Sequence, residues 1–120
     1  MNGCAGLEGF RVLVVEDEYF LADRLARDLD AMGAEVIGPA GSVDDALELI
    51  AESGRLDGAV VDVNLHGEMS YPVADALAAR GVRFVFATGY DQASIAPGYA
   101  AVTRCEKPVQ ASRIVRALLG

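Results

Sequence analysis

The residues whose types and spacing can do chemistry sit at the ends of short apolar runs. Gly58-Ala59-Val60-Val61 has the composition of a strand buried on both faces, and it delivers Asp62, followed by Val63 and Asn64. Phe10-Arg11-Val12-Leu13-Val14-Val15 is another such run and stops at Glu16-Asp17-Glu18. Val82-Arg83-Phe84-Val85-Phe86-Ala87 delivers Thr88-Gly89-Tyr90, and Ala101-Val102-Thr103-Arg104 ends near Lys107-Pro108. In an open parallel sheet ligands collect outside the carboxyl ends of the strands, so acids placed there line a site. Carboxylates within a few ångströms of one another repel, and at an effective dielectric near 20 each close pair costs on the order of 4 kcal/mol before screening. A divalent cation removes that cost. Oxygen ligands without His or Cys select Mg²⁺, or Mn²⁺, over zinc.

These tips need elements behind them. Leu21, Leu25 and Leu29 repeat every fourth residue beside Ala22, Ala26 and Met32, which predicts an amphipathic helix stopped by Gly33. Glu35-Val36-Ile37-Gly38 reads as a short strand closed by the Gly38-Pro39 turn signal. Ser42 with Asp45 three residues on is a helix cap, and Val43, Ala46, Leu47, Ile50 and Ala51 trace the apolar face that follows. After Asp62 comes a loop with Gly67, then Pro72 opens a third helix through Val73, Ala74, Leu77 and Ala78. The stretch from Asp91 to Tyr99 has Ile95 as its large aliphatic and is broken by Pro97-Gly98, so the fourth helix is expected to be short and mobile. A last helix starts near Gln110, with Ala111, Ile114, Val115 and Leu118 facing inward.

Five strands alternating with helices predict an α/β fold: a doubly wound five-stranded parallel sheet, order 2-1-3-4-5. That order gathers Glu16, Asp17, Asp62 and Lys107 in one cleft, with Thr88 at its rim. A chain of 120 residues, 52% hydrophobic, has room for one domain, read as residues 9–120 behind a flexible tail of residues 1–8. The apolar runs are far shorter than the roughly 18 residues that span a bilayer, so no membrane contact and a cytoplasmic location are expected. Eighteen acidic against ten basic residues give a net charge of -8, and the scattered Lys and Arg disfavour direct nucleic-acid binding and favour cations and basic partners. Cys4 and Cys105 form neither a disulfide framework nor a metal-ligand spacing, and Cys4 falls in the tail.

Glu16-Asp17, Asp62, Thr88 and Lys107-Pro108, each after a strand and in this order, resemble the receiver domain of two-component response regulators, over about Phe10 to Leu119. Phe86-Ala87-Thr88-Gly89-Tyr90, with Asp62-Val63-Asn64-Leu65 and Tyr71-Pro72-Val73-Ala74-Asp75-Ala76-Leu77, is similar to the receiver subgroup known for its FATGUY motif, often single-domain. The resemblance implies a flavodoxin-like fold and a reaction in which a sensor histidine kinase or histidine phosphotransfer protein passes its phosphoryl group to Asp62. It also implies Mg²⁺ held by the Asp17 and Asp62 side chains and the Asn64 backbone carbonyl, with Glu16 acting directly or through water. Lys107 and the Thr88 hydroxyl would contact the phosphoryl oxygens. The output would be a change of the strand 4 to strand 5 face, read by a downstream protein, from a monomer or weak dimer.

Two positions depart from the family pattern. Many receivers carry an aromatic residue three positions before the lysine, where this chain has Arg104, so Tyr90 is a candidate for the reporting ring. Glu16 stands where many receivers have aspartate. His66, a lone histidine in the glycine-containing loop, reads as solvent-exposed. Two other functions compete. A small Mg²⁺-dependent aspartyl-phosphate phosphotransferase or phosphatase commonly has a second aspartate two residues after the nucleophile, where this chain has Asn64. A docking module that needs no phosphorylation would have no reason to keep like charges in one cleft.

Overall fold

A computed structural model describes residues 6–89, 95–99 and 101–119. The elements in chain order are β1 (Arg11–Val15), α1 (Tyr19–Ala31), β2 (Glu35–Ala40), α2 (Val43–Glu52), β3 (Gly58–Asp62), β4 (Asn64–Leu65), β5 (Glu68–Met69), α3 (Tyr71–Ala79), β6 (Phe84–Thr88), a 3₁₀ turn (Pro97–Tyr99), β7 (Arg104–Glu106) and α4 (Ala111–Leu119). The main sheet runs β2-β1-β3-β6-β7, all parallel, which is the expected 2-1-3-4-5 order once the small β4-β5 hairpin is set aside.

Alternation along each strand explains the two covered faces. Leu13, Val15, Ala59, Val61 and Phe86 point to the layer of α2 and α3, while Val12, Val14, Val60, Val85 and Ala87 point to that of α1 and α4. Burial on both sides is why β1, β3 and β6 read as continuous apolar runs. The helices meet the sheet through the periodic residues: Ala22, Leu25 and Leu29 of α1, Val43, Ala46 and Ile50 of α2, Val73, Ala74 and Leu77 of α3, and Ala111, Ile114 and Leu118 of α4. The Ser42 hydroxyl accepts from Asp45 N at 3.1 Å, the expected cap of α2.

Four details differ from the sequence reading. Leu7, assigned to the tail, is fully buried beside Leu29 and Ile114, and the Gly6 and Leu7 N–H groups donate to Met32 O at the end of α1. The packed core therefore includes a residue ahead of residue 9; residues 1–5, with Cys4, lie outside the described residues. Strand β2 passes through Gly38-Pro39 to Ala40, because the register shifts between Leu13 and Val15 and an edge strand tolerates a proline there. The fifth strand of the sheet is Arg104–Glu106 rather than 101–104. The loop around Gly67 folds as the β4-β5 hairpin, with His66 at φ 52 and Gly67 at φ 87, the paired positive values of a tight two-residue turn.

For the region expected to carry a short, mobile fourth helix, Ile95 and Tyr99 pack against the core and a single 3₁₀ turn is formed among the described residues. Tyr71 and Tyr99 stack with ring centroids 4.4 Å apart, Tyr99 Oη donates to Asp75 at 2.7 Å and Ala96 N donates to Tyr71 Oη at 2.9 Å. Residues 90–94, with Tyr90, fall outside the described residues.

Candidate functional site

The sheet register sets the site. Val15 pairs with Val61, Asp62 with Ala87 and Thr88 with Glu106, so the residues that end β1, β3, β6 and β7 lie side by side at one edge. Glu16, Asp17 and Asp62 each offer a carboxylate oxygen within 4.8 Å of the others. Asp62 is 1% exposed and Glu16 7%. Lys107, which directly follows β7, reaches back to Asp62 Oδ2 at 2.6 Å and to Glu16 Oε1 at 3.1 Å. Thr88 is buried at the end of β6, and its carbonyl accepts from Lys107 N at 2.8 Å. That bond ties the lysine backbone to the strand carrying the hydroxyl.

The second Asp62 oxygen is also held. Oδ1 accepts from Asn64 N at 3.1 Å, so the two oxygens face different donors. The Asn64 side chain turns away, its Oδ1 accepting from Gly67 N at 2.7 Å and its Nδ2 contacting Met69 Sδ. These contacts brace the hairpin. His66 at its tip is the residue the sequence reading set aside: its N–H donates to Asp17 Oδ2 at 2.8 Å and its ring Nδ1 lies 3.4 Å from the same oxygen. The ring is exposed, as expected, but the turn aims its backbone at the acidic cluster. The pair His66-Gly67 between Leu65 and Glu68 was the available hairpin signal.

Electrostatics follow from this packing. Burial pushes the Glu16 carboxyl up to about 7; the Glu18 N–H bond and Lys107 oppose the rise, and the Asp62 charge adds to it. Burial acts upward on Asp17 too, but the His66 N–H bond, a hydrogen bond with Glu16 and the His66 charge hold its carboxyl below the usual value. For Lys107, burial acts downward and is outweighed by its hydrogen bond to Asp62 and by the charges of Asp62 and Glu16, so its ammonium is held above the ordinary pKa. The lysine neutralises one carboxylate, leaving an excess of negative charge. The donor set, three carboxylates without His or Cys, fits a hard divalent cation.

Arg104 opens β7 and is exposed. Cys105 next to it is a free, buried thiol.

The fold has counterparts among solved structures. The solution structure of SdrG from Sphingomonas melonis Fr1 matches at 35% identity with a TM-score of 0.80, over 98% of this chain and 97% of that one. The BeF3-activated conformation of SdrG from Pseudomonas melonis Fr1 matches at 36% identity with a TM-score of 0.77, over 92% of this chain and 96% of that one. The receiver domain from the hybrid histidine kinase CckA matches at 28% identity with a TM-score of 0.70, over 90% of this chain and 98% of that one. No family model and no curated protein matches the chain. By these likenesses the chain belongs to the receiver domains of two-component response regulators.

Proposed function

We propose that this receiver accepts a phosphoryl group onto Asp62 from the phosphohistidine of a sensor histidine kinase or histidine phosphotransfer protein. The observation that carries this reading is Lys107 Nζ at 2.6 Å from Asp62 Oδ2 and 3.1 Å from Glu16 Oε1, inside the cluster of three carboxylates. In the transfer, an Asp62 oxygen forms the new P–O bond, the P–N bond breaks, and the electron pair leaves with the imidazole. The protein's part is alignment and neutralisation. Lys107 holds positive charge beside the nucleophile and the Asn64 N–H fixes the carboxylate plane. Thr88, buried at the end of β6, would donate its hydroxyl to a phosphoryl oxygen.

Asp17, Asp62 and the Asn64 carbonyl would hold Mg²⁺, or Mn²⁺, with Glu16 binding directly or through water. A bound divalent cation supplies the positive charge that offsets the phosphoryl oxygens. The capture of a relative in a BeF3-activated conformation supports the same class of chemistry for this chain. The reading makes this a signalling domain without turnover of an external substrate. The receiver would include Leu7 in its core ahead of residue 9, in the FATGUY subgroup, as a cytoplasmic monomer or weak dimer. Among the described residues no helix is long and apolar enough to cross a membrane.

Signalling would pass from Thr88 into the strand 4 to strand 5 face, which is β6 and β7 here. Arg104, exposed on β7, is poorly suited to the inward swing of an aromatic residue. Tyr90 remains the candidate for the reporting ring, outside the described residues. The test is intact-protein mass spectrometry after incubation with acetyl phosphate and Mg²⁺. One phosphoryl increment, absent with EDTA and absent in Asp62→Asn, is expected. An unchanged increment in Asp62→Asn would place the acceptor elsewhere.

A further inference from the structure

His66 is the chain's one histidine, and the phosphoryl chemistry makes no use of its ring. Its backbone has φ 52, in the left-handed region that Asn and Gly adopt most readily in a two-residue hairpin turn. That backbone places the ring. The N–H donates to Asp17 Oδ2 at 2.8 Å, and Nδ1 of the ring stands 3.4 Å from the same oxygen. Among the described residues the ring pairs with Asp17 alone, and not with Glu68 two residues on. The turn is held from its other side too: Asn64 Oδ1 accepts from Gly67 N at 2.7 Å, and Asn64 N donates to Asp62 Oδ1 at 3.1 Å. The hairpin is thus tied to the acidic cluster at both Asp17 and Asp62, with the imidazole anchored at its base.

Asp17 shares a hydrogen bond with Glu16 and also faces the His66 ring. The ring is 77% exposed and the Asp17 side chain 11%, so the imidazole stands on the solvent side of the cluster. Carboxylate oxygens and imidazole nitrogens bind a zinc-like cation at about 2.0–2.2 Å, and two such donors at right angles around one ion are about 3 Å apart. The 3.4 Å between Nδ1 and Asp17 Oδ2 is near that spacing, and an exposed ring can close the gap by side-chain rotation. Donor type then decides the ion. Mg²⁺ takes oxygen and gives up water reluctantly, whereas cobalt, nickel and zinc ions gain from an imidazole. Cys105, the described thiol, is buried in the layer of α1 and α4, so His66 is the side chain placed to supply that preference.

We infer that the His66 imidazole is a ligand to the cation held at Asp17, and that it makes an all-oxygen site a mixed oxygen and nitrogen site that favours nitrogen-accepting divalent cations, of the cobalt, nickel and zinc type, over Mg²⁺. His66 takes this part only if the acidic cluster holds a divalent cation, as proposed above, and it decides which cation that is. The three carboxylates alone select by charge and oxygen; the hairpin adds the discrimination.

The test is isothermal titration calorimetry of the untagged full chain with MgCl₂ and with CoCl₂ at one fixed pH, beside His66→Asn and His66→Gly. Both replacements suit a positive φ, so the turn and the N–H to Asp17 are kept. They should weaken Co²⁺ binding at least about tenfold and leave Mg²⁺ binding within about twofold. Asp17→Asn should weaken both cations, and Co²⁺ binding that survives it unchanged would place the ion elsewhere and overturn the inference. Proton NMR of the Co²⁺-loaded chain gives a readout independent of affinity: a paramagnetically shifted, exchangeable ring N–H, which belongs to His66 because the chain has one histidine, and which both His66 variants should lack. Equal losses of the two cations in those variants would make His66 a brace of the turn and refute its role as a ligand. Unchanged Co²⁺ binding would do the same, as would tighter binding, which would mark the ring as a competitor for Asp17. An unmodified chain that binds neither cation would overturn the cation site together with the inference, and is told apart from the other outcomes because no variant is needed to see it.

Discussion

Replacing Lys107 by methionine removes a cation that touches both buried acids of the site. Lys107 contacts Asp62 at 2.6 Å and Glu16 at 3.1 Å, and both carboxylates are almost wholly buried. Breaking a buried ion pair from one side costs about 3–5 kcal/mol, because the remaining charge is left in a poor solvent. Glu16 limits the loss. Its carboxyl already titrates near pH 7, so without the lysine it holds its proton to higher pH and sheds its own charge. Lys107→Met should therefore cost about 3 kcal/mol at pH 8 and less at pH 6, and adding Asp62→Asn should restore most of the loss. Urea unfolding of the two single variants and the double variant at both pH values, in EDTA, measures all three terms. A Lys107→Met loss under about 1 kcal/mol at pH 8, or a double variant no more stable than Lys107→Met, would refute the account of the site's electrostatics.

The raised Glu16 also sets a pH dependence. Its folded pKa of about 7 lies above the ordinary 4.5, so the unfolded chain binds fewer protons between those values and metal-free stability should fall as pH rises from about 4.5 to 7, by at most about 3 kcal/mol. Mg²⁺ should bind more tightly as pH rises from about 6 to 8, with proton uptake by buffer seen by calorimetry in buffers of different ionisation enthalpy. Leu7→Ala should destabilise by about 2–5 kcal/mol in urea unfolding, as for any large aliphatic removed from the core, whereas a tail residue would cost nothing. Gly58→Ala puts a Cβ 2.7 Å from Leu118 Cδ1, so the buried Leu118 side chain must give way, and a loss of about 1–3 kcal/mol is expected by the same measurement.

The sequence discloses those parts of the fold whose physics is local or repetitive. Strands β1, β3 and β6 are buried on both faces, so their apolar runs stand out, and the acids and threonine that end them mark one edge of the sheet. Helices α1, α2 and α4 carry the apolar period that packs on it. Strand β7 is different. At the sheet edge only Cys105 of Arg104–Glu106 turns inward, so its sequence reads as polar, while Ala101-Val102-Thr103 ahead of it looks more like a strand and is not one. Leu7 is a single apolar residue among glycines, and its burial depends on the end of α1, which no periodicity near it reveals.

The same distinction divides the site. Residue types and order bring Glu16, Asp17, Asp62, Thr88 and Lys107 together because sheet register fixes where strands end. Beside its hydrogen bond with Glu16, Asp17 is held by the His66 N–H, placed by a two-residue hairpin too short to show a strand pattern. A backbone donor leaves no trace in composition, since any residue supplies one. His66-Gly67 is visible only as a turn, and its consequence, an N–H aimed at a carboxylate, appears when β4 and β5 pair. Three acids at a strand edge are costly, and the chain offsets that cost with one long cation from β7 and N–H groups donated to each of the three carboxylates. The lysine was legible as a residue type; the N–H groups required the fold.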